Sequence, residues 1–277
     1  MERLIVADSC LELNDRMLES MNIRQVPFFI DIEKDHFIDD GTIDQREFIN
    51  QMKKSSSTPK TAAPTPNVFY DAMKGADEVF VVTISSKLSV TYNNAIIAAK
   101  MALEENPDLK VHVFDSKSAM TAETLVALKI QEFIDQDKDF GYITREVDKF
   151  IEGMNTMFIL EDLDNLIKNG RMSKIAGFVA SALSIVPVCG AEDGEIIVIN
   201  KSRGMKAAMK KLVSLIGERG EIFSDRTLVI SHVDNILVAE DLKQKILAKY
   251  NFKDIQIVGA KGLSSTYANK GGIVVSY

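Results

Sequence analysis

Short runs of β-branched and aromatic residues alternate with longer stretches of helical spacing, and this alternation restricts the fold more than any other feature. Leu4 to Ala7, Val26 to Ile32, Glu78 to Ile84 and Lys110 to Phe114 read as strands. Leu11 to Met21, Leu88 to Leu103, Thr121 to Ile134 and Ile143 to Met154 carry apolar residues at helical spacing. Thr42-Ile43-Asp44-Gln45 reads as a capping box for a further helix running to about Lys54. Apolar strands separated by helices predict a mostly parallel sheet flanked by helices.

The pattern changes near residue 155. Met157 to Leu160 reads as a strand, and Asp162 opens a short helix that stops at Asn169-Gly170. Asp193-Gly194, between Ser184 to Cys189 and Glu195 to Asn200, is a hairpin signal. Met205 to Ile216 and Ala239 to Tyr250 read as helices; Thr227 to His232, Asp254 to Val258 and Ile273 to Tyr277 read as strands. The expectation is an α/β fold in two lobes. Residues 1–155 form the N-terminal α/β domain and residues 156–277 a C-terminal α+β domain. Ser55 to Pro66 breaks the amphipathic pattern with Ser, Thr, Pro and Ala, as a linker or a functional loop does. It closes on Thr65-Pro66, a helix cap followed by proline at the first helical position.

Composition removes several function classes. With 33 basic against 40 acidic side chains and a net charge of −7, the chain is a poor nucleic-acid binder. Cys10 and Cys189 are too few for a disulfide framework and suit a reducing compartment. His36, His112 and His232 show no metal-ligand spacing with the cysteines. The start meets Asp8 too early for a secretory apolar core. Ile175 to Val188, the most apolar stretch, is too short to span a bilayer and is broken by Gly177, Ser181, Ser184 and Pro187. A cytoplasmic protein without a metal or cofactor is expected.

Val81 to Thr91 carries the most chemistry: a buried strand, a hydroxyl-rich turn, then a helix start. Ligands of open α/β sheets bind outside the carboxyl ends of strands, where free helix N–H groups favour anions. Ser85, Ser86 or Ser89 would donate to a carboxylate or phosphate; the simpler reading is plain capping, since serine is favoured at helix starts regardless of function. Asp8-Ser9 and Asp115-Ser116 each follow a strand, as turn or cap residues or as a pair of acids for a metal. No histidine stands near either serine to activate it. Arg171 is either a solvated charge after a helix or a fork for an anion. Twelve Met and fourteen Phe residues fit a core, and equally an adaptable apolar pocket.

Taken in order, these residues resemble the DegV family, the fatty-acid-binding subunits of bacterial fatty acid kinase systems. Asp8-Ser9 matches its opening strand and Asp-Ser. Thr61-Ala62-Ala63-Pro64-Thr65-Pro66 with Phe69 matches in part its Thr-Ser-Gln-Pro-Ser-Pro loop, and Ser85-Ser86-Lys87-Leu88-Ser89-Val90-Thr91-Tyr92 its Ser-Ser-x-Leu-Ser-Gly-Thr-Tyr motif. Asp115-Ser116, Gly170-Arg171 and the Asp-Gly hairpin before Lys201-Ser202-Arg203 also fit. The resemblance implies two α/β lobes with a tunnel for one long-chain fatty acid, whose carboxylate is held by Thr61 and Ser89. Arg171, Ser86 and Ser265 would lie near the head group or a docking partner. It implies a carrier rather than an enzyme: a separate fatty acid kinase would phosphorylate the bound acid, and the carrier would exchange acyl chains at a membrane surface.

The chain departs from the family at Ala62-Ala63, at Val90 in place of glycine, and at Val186 before Pro187 in place of lysine. Leu263 to Asn269 replaces a Gly-x-His-x-Gly-Pro-Gly motif, with Ser265 at the histidine's position. Two other readings stand beside the carrier. One is a small-phosphate or nucleotide-binding enzyme using Ser85 to Thr91, although the P-loop lysine and glycines are missing. The other is a lipid-binding protein that has lost its kinase partner.

Overall fold

The structure, a computed structural model, describes residues 1–172, 185–219 and 222–277. β1 (Arg3–Asp8) grows from the first apolar run and is buried from Leu4 to Asp8. It pairs in parallel with β2 (Ile23–Val26) and β6 (Glu78–Thr83), and β6 pairs in parallel with β7 (Lys110–Asp115). The four-stranded sheet has the order β2-β1-β6-β7. All six residues of β6 are buried, as expected of a strand covered on both faces. α3 (Pro66–Met73) and α4 (Thr91–Glu105) cover one face, through Phe69, Met73, Ala95 and Ala98 against Leu4 and Val81.

α5 (Thr121–Asp135) and α6 (Phe140–Glu152) cover the other face. α5 also joins the two halves of the chain. Its Leu125, Val126 and Ile130 share one apolar cluster with Ile5 and Phe80 of the parallel sheet, and with Val229 and Val258 of a second sheet. That sheet has six strands in the order β10-β9-β8-β13-β11-β12. They are β8 (Thr156–Ile159), β9 (Ile185–Glu192), β10 (Glu195–Arg203), β11 (Thr227–His232), β12 (Asp254–Gly259) and β13 (Ile273–Ser276). Only β11 and β12 pair in parallel. α8 (Met205–Arg219) and α9 (Ile236–Leu247) pack on it through Leu212, Ile216 and Leu242. The fold is thus α/β, a parallel sheet flanked by helices joined to a second, β-rich lobe.

The structure corrects several local expectations. Val26 to Ile32 is not one strand: β2 ends at Val26 and β3 (Phe29–Ile32) begins a third sheet after Pro27, whose ring cannot donate to a ladder. That sheet is antiparallel, with the order β4-β3-β5, where β4 is Asp35–Ile38 and β5 is Lys60–Ala62. Segment 55–66 therefore contains a strand. α2 (Gln45–Lys54) covers the small sheet by setting Phe48 against Ile30 and Ile32. Its cap is Asp44, whose carboxylate accepts the Glu47 amide at 2.9 Å, while Thr42 bonds to Asp40 instead. α1 (Asp15–Ser20) is shorter than the Leu11 to Met21 pattern, because Asn14 caps it and accepts the Met17 amide at 3.0 Å. α7 (Asp164–Lys168) ends before Asn169-Gly170, with Gly170 at φ +78°. The expected strand at Ser184 begins outside the described residues, as does most of the apolar stretch from Ile175.

The hairpin between β9 and β10 turns as expected: Asp193 and Gly194 have φ of 49° and 82°, the left-handed pair of a type I′ turn. Gly194 has a second constraint, because a Cβ there would lie 2.6 Å from Ser85 Oγ. Ser85 donates to the Gly194 carbonyl at 2.8 Å, docking the hairpin on the turn after β6.

Four acids are buried where the two main sheets meet. Asp8 accepts the amides of Cys10 at 3.0 Å and Ile84 at 2.9 Å. Asp39 accepts Ser9 Oγ at 2.8 Å and the amides of Gly262 and Leu263 at 2.9 and 3.0 Å, which start α10 (Gly262–Ala268). Glu12 accepts from the Ser231 hydroxyl of β11 and the Lys261 amide. Glu123 on α5 is fully buried, and among the described residues neither of its carboxyl oxygens has a hydrogen-bond partner. Donor atoms of Glu123, Asp8 and Cys10 lie within 4.8 Å of one another. Burial and the neighbouring Asp8 charge hold the Glu123 carboxyl well above the usual range.

Burial also pushes Asp8 up to about 6 and Glu12 up to about 7, and raises Asp39; Lys261, half-buried beside Glu12 and Asp39, is pushed down. These acids bind protons more tightly folded than unfolded, so stability falls as pH rises from about 4 through about 7. Glu12, raised from 4.5 to about 7, costs on the order of 3 kcal/mol above that window. Glu12→Gln keeps an oxygen for the Lys261 amide and removes the titration. Thermal melts from about pH 5 to about pH 8 should show a flatter decline for this variant, melting several degrees above wild type at the alkaline end. Parallel declines in the two proteins would show that Glu12 does not set the slope.

Candidate functional site

The order β2-β1-β6-β7 means that the chain leaves β1 on one side and returns on the other, opening a crevice beyond the carboxyl ends of β1 and β6. Cys10 and Ile84, just past those ends, line a cavity there. The six-stranded sheet closes it with Phe158, Val274 and Ile196, and α10 adds Leu263 and Ala268. Counted with its mouth, the cavity holds about 830 Å³ free of protein atoms.

Its wall is apolar even where polar residues contribute. Ser118 and Thr156 both line it, yet Ser118 Oγ donates to Thr156 Oγ1 at 2.8 Å. Thr156 Oγ1 meets Ser276 Oγ at 2.9 Å, and Ser276 meets Thr121 Oγ1 at 2.7 Å. These buried hydroxyls satisfy one another, so this part of the wall demands little from a ligand. Met120 begins α5 with φ of 57°, a conformation uncommon for a long side chain, and its amide points at Cys10 Sγ, 3.4 Å away. Burial and nearby carboxylates push the Cys10 thiol well up, which keeps it protonated and unreactive. No histidine is among the described residues lining the cavity.

One end differs: Thr61, Leu88, Ser89, Arg171 and Tyr267 line the cavity and are only partly buried. Contacts connect them. Thr61 Oγ1 on β5 and the Tyr267 hydroxyl on α10 lie 2.7 Å apart. The Arg171 guanidinium sits 5.6 Å from the centre of the Tyr267 ring and donates to the carbonyls of Leu88 at 3.3 Å and Asn169 at 2.6 Å. Ser89 Oγ meets Thr91 Oγ1 at 2.7 Å and accepts the Thr91 amide at 3.3 Å. The arrangement offers hydroxyl donors and a cation to an anionic group, with an apolar tail running inward.

Thr61, Ser89 and Arg171 are thus brought together, whereas Ser86 and Ser265 do not line the cavity. The Ser86 amide donates to Asp115 Oδ1 at 3.1 Å in the turn. Ser265 is fully buried behind α10 and accepts from the Gln45 side chain at 3.2 Å. The cavity face of that helix carries Ser264 and Tyr267, and Tyr267 was not anticipated. Its signal was present: a tyrosine in the segment that replaces the glycine-rich motif. Asp8 and Asp115 sit on β1 and β7 with β6 between them, each accepting turn amides, so they form no metal-binding pair. Ser85 spends its hydroxyl on the hairpin, which weakens the helix start as a phosphate cradle. Among the described residues no helix is long and apolar enough to cross a membrane.

Comparison with known proteins agrees with this geometry. A DegV domain-containing protein of Streptococcus pyogenes serotype M3 is 33% identical over 276 residues, covering 99% of this chain and 98% of the relative. A DegV-family crystal structure from Ruminococcus gnavus, refined with vaccenic acid, superposes with a TM-score of 0.95 at 33% identity, covering 99% of both chains. The Streptococcus pneumoniae fatty acid kinase B3 protein, loaded with linoleic acid, superposes with a TM-score of 0.92 at 30% identity, covering 100% of this chain and 99% of that one. The family model for DegV matches residues 3–277, and with that match the chain belongs to the DegV family.

Proposed function

We propose that the protein binds one long-chain fatty acid, with its acyl chain in the cavity and its carboxylate at Thr61 and Ser89 beside Arg171. The division of a single cavity into a self-satisfied apolar wall and a hydroxyl-bearing mouth carries this reading. The fatty acids in the R. gnavus and S. pneumoniae relatives support it. Each buried methylene contributes about 0.8 kcal/mol, so on the order of fourteen give roughly 11 kcal/mol before the costs of association. Affinity then comes mainly from the chain, and the mouth sets which end faces out.

In this reading the protein is a carrier, and a separate fatty acid kinase phosphorylates the exposed carboxylate. The S. pneumoniae relative, a fatty acid kinase B3 protein, supports that role. Two unpaired cysteines fit work in the reducing cytoplasm. Acyl exchange would take place at a membrane surface. The division of the chain near residue 155 separates the strands of the parallel sheet from those of the six-stranded one.

Protein purified from cells and extracted with solvent should yield long-chain fatty acid by mass spectrometry; no extracted acid and no binding of added oleic acid would sink the reading. Thr61→Ala with Ser89→Ala should leave the melting temperature near wild type and weaken fatty-acid binding by more than tenfold. That expectation follows from about 1.5–3 kcal/mol per hydroxyl bond to a carboxylate. Wild-type affinity in the double variant would show that the carboxylate sits elsewhere.

A further inference from the structure

Tyr267 and Thr61 are 206 positions apart, yet their oxygens lie 2.7 Å from each other at the cavity mouth. Contacts of its helix and of its ring place the phenol there. Asp39 anchors the start of α10 through the amides of Gly262 and Leu263, and a Cβ at Gly262 would lie 2.7 Å from Asp39 Oδ1. The Thr266 hydroxyl donates to the Gly262 carbonyl at 2.8 Å and keeps the helix turn closed. Leu263, Ser264, Tyr267 and Ala268 fall on the cavity-facing side of that turn, and the Arg171 guanidinium lies against the ring of Tyr267.

Two hydroxyls carry two protons, and one bond between them uses one. The remaining proton is free for a third group. If the phenol donates to Thr61 Oγ1, the Thr61 O–H is left to point away from Tyr267, and accepting a hydrogen bond polarises it toward stronger donation. We propose that Tyr267 is a positioning residue for the head group: it donates to Thr61 and so aims the Thr61 proton at the ligand carboxylate. This inference rests on the fatty-acid reading. It assigns to the chain's own Tyr267 an orienting task that Ser265, buried behind the same helix, cannot perform.

The test is a double-mutant cycle on the full chain, with Tyr267→Phe and Thr61→Val, titrated with oleic acid and with its methyl ester. Phenylalanine keeps the ring under Arg171 and removes only the hydroxyl, and valine keeps the shape of threonine. Tyr267→Phe should weaken oleic acid binding about tenfold and change ester binding far less, because the ester carries no anionic oxygen. In the Thr61→Val background the same change should cost almost nothing. Unchanged oleic acid affinity in Tyr267→Phe, an equal loss for acid and ester, or an equal loss in both backgrounds would each overturn the inference. If Tyr267→Phe does not fold, Tyr267→Met, which also removes the hydroxyl, takes its place in the same cycle with the same expected and overturning results. Wild-type protein that binds neither ligand overturns the fatty-acid reading itself, an outcome distinct from a wild type that binds oleic acid and a Tyr267→Phe variant that binds it equally well.

Discussion

The cavity mouth depends on main-chain amides that end on buried carboxylates. Asp8 holds the Ile84 amide and with it the start of the turn that carries Ser89. Asp39 holds the first amides of α10 and, through Ser9, ties them to the end of β1. Charge-assisted bonds of this kind are stronger than neutral ones, and at a helix start they also meet the positive end of the peptide dipoles. Removing these acids from water has a cost, visible in the Asp8 carboxyl pushed up to about 6 and the Asp39 carboxyl raised by its burial. That cost is accepted where precise loop placement is needed, and four separate segments, carrying Thr61, Ser89, Arg171 and Tyr267, converge at this mouth.

Strands buried on both faces were legible in the sequence, because continuous apolar runs have few other uses. β6, buried at every position, is the clearest case. The small antiparallel sheet was not legible. β4 and β5 are short and mostly exposed, and Asp-His-Phe-Ile and Lys-Thr-Ala hold no apolar run long enough to register. α10 was illegible for another reason: Gly-Leu-Ser-Ser-Thr-Tyr-Ala has weak intrinsic helix preference, and the helix exists because Asp39, distant in sequence, caps it. Tertiary contact overrode propensity there.

The candidate site shows the same division. Thr61, Ser89 and Arg171 were identified through motif order, and the structure gathers them at one end of the cavity. Ser265 was placed by alignment with a lost histidine, but a helix turns neighbouring positions in different directions, and the side chain that reaches the mouth is two residues further on. Tyr267 stands in the segment that replaces the glycine-rich motif, but what gives it a role is a partner on β5, a strand that the sequence pattern does not reveal.

Hydroxyl groups occur both in the cavity wall and at its mouth, and their partners distinguish the two. Ser118, Thr156, Ser276 and Thr121 form a buried chain of short contacts, so a ligand passing Ser118 and Thr156 meets carbon and spent polar atoms. At the mouth, Thr61 and Tyr267 bond to each other across two elements, and Ser89 bonds to Thr91, in a partly exposed setting. Rotation of a hydroxyl there can exchange an internal partner for an external one at little cost, since water or ligand is at hand. A carboxylate gains more from such an exchange at the mouth than within the wall, where a charge would lose its hydration and disrupt satisfied bonds. The orientation of an amphipathic ligand in this cavity therefore follows from where hydroxyls remain free to turn, more than from where hydroxyls are present.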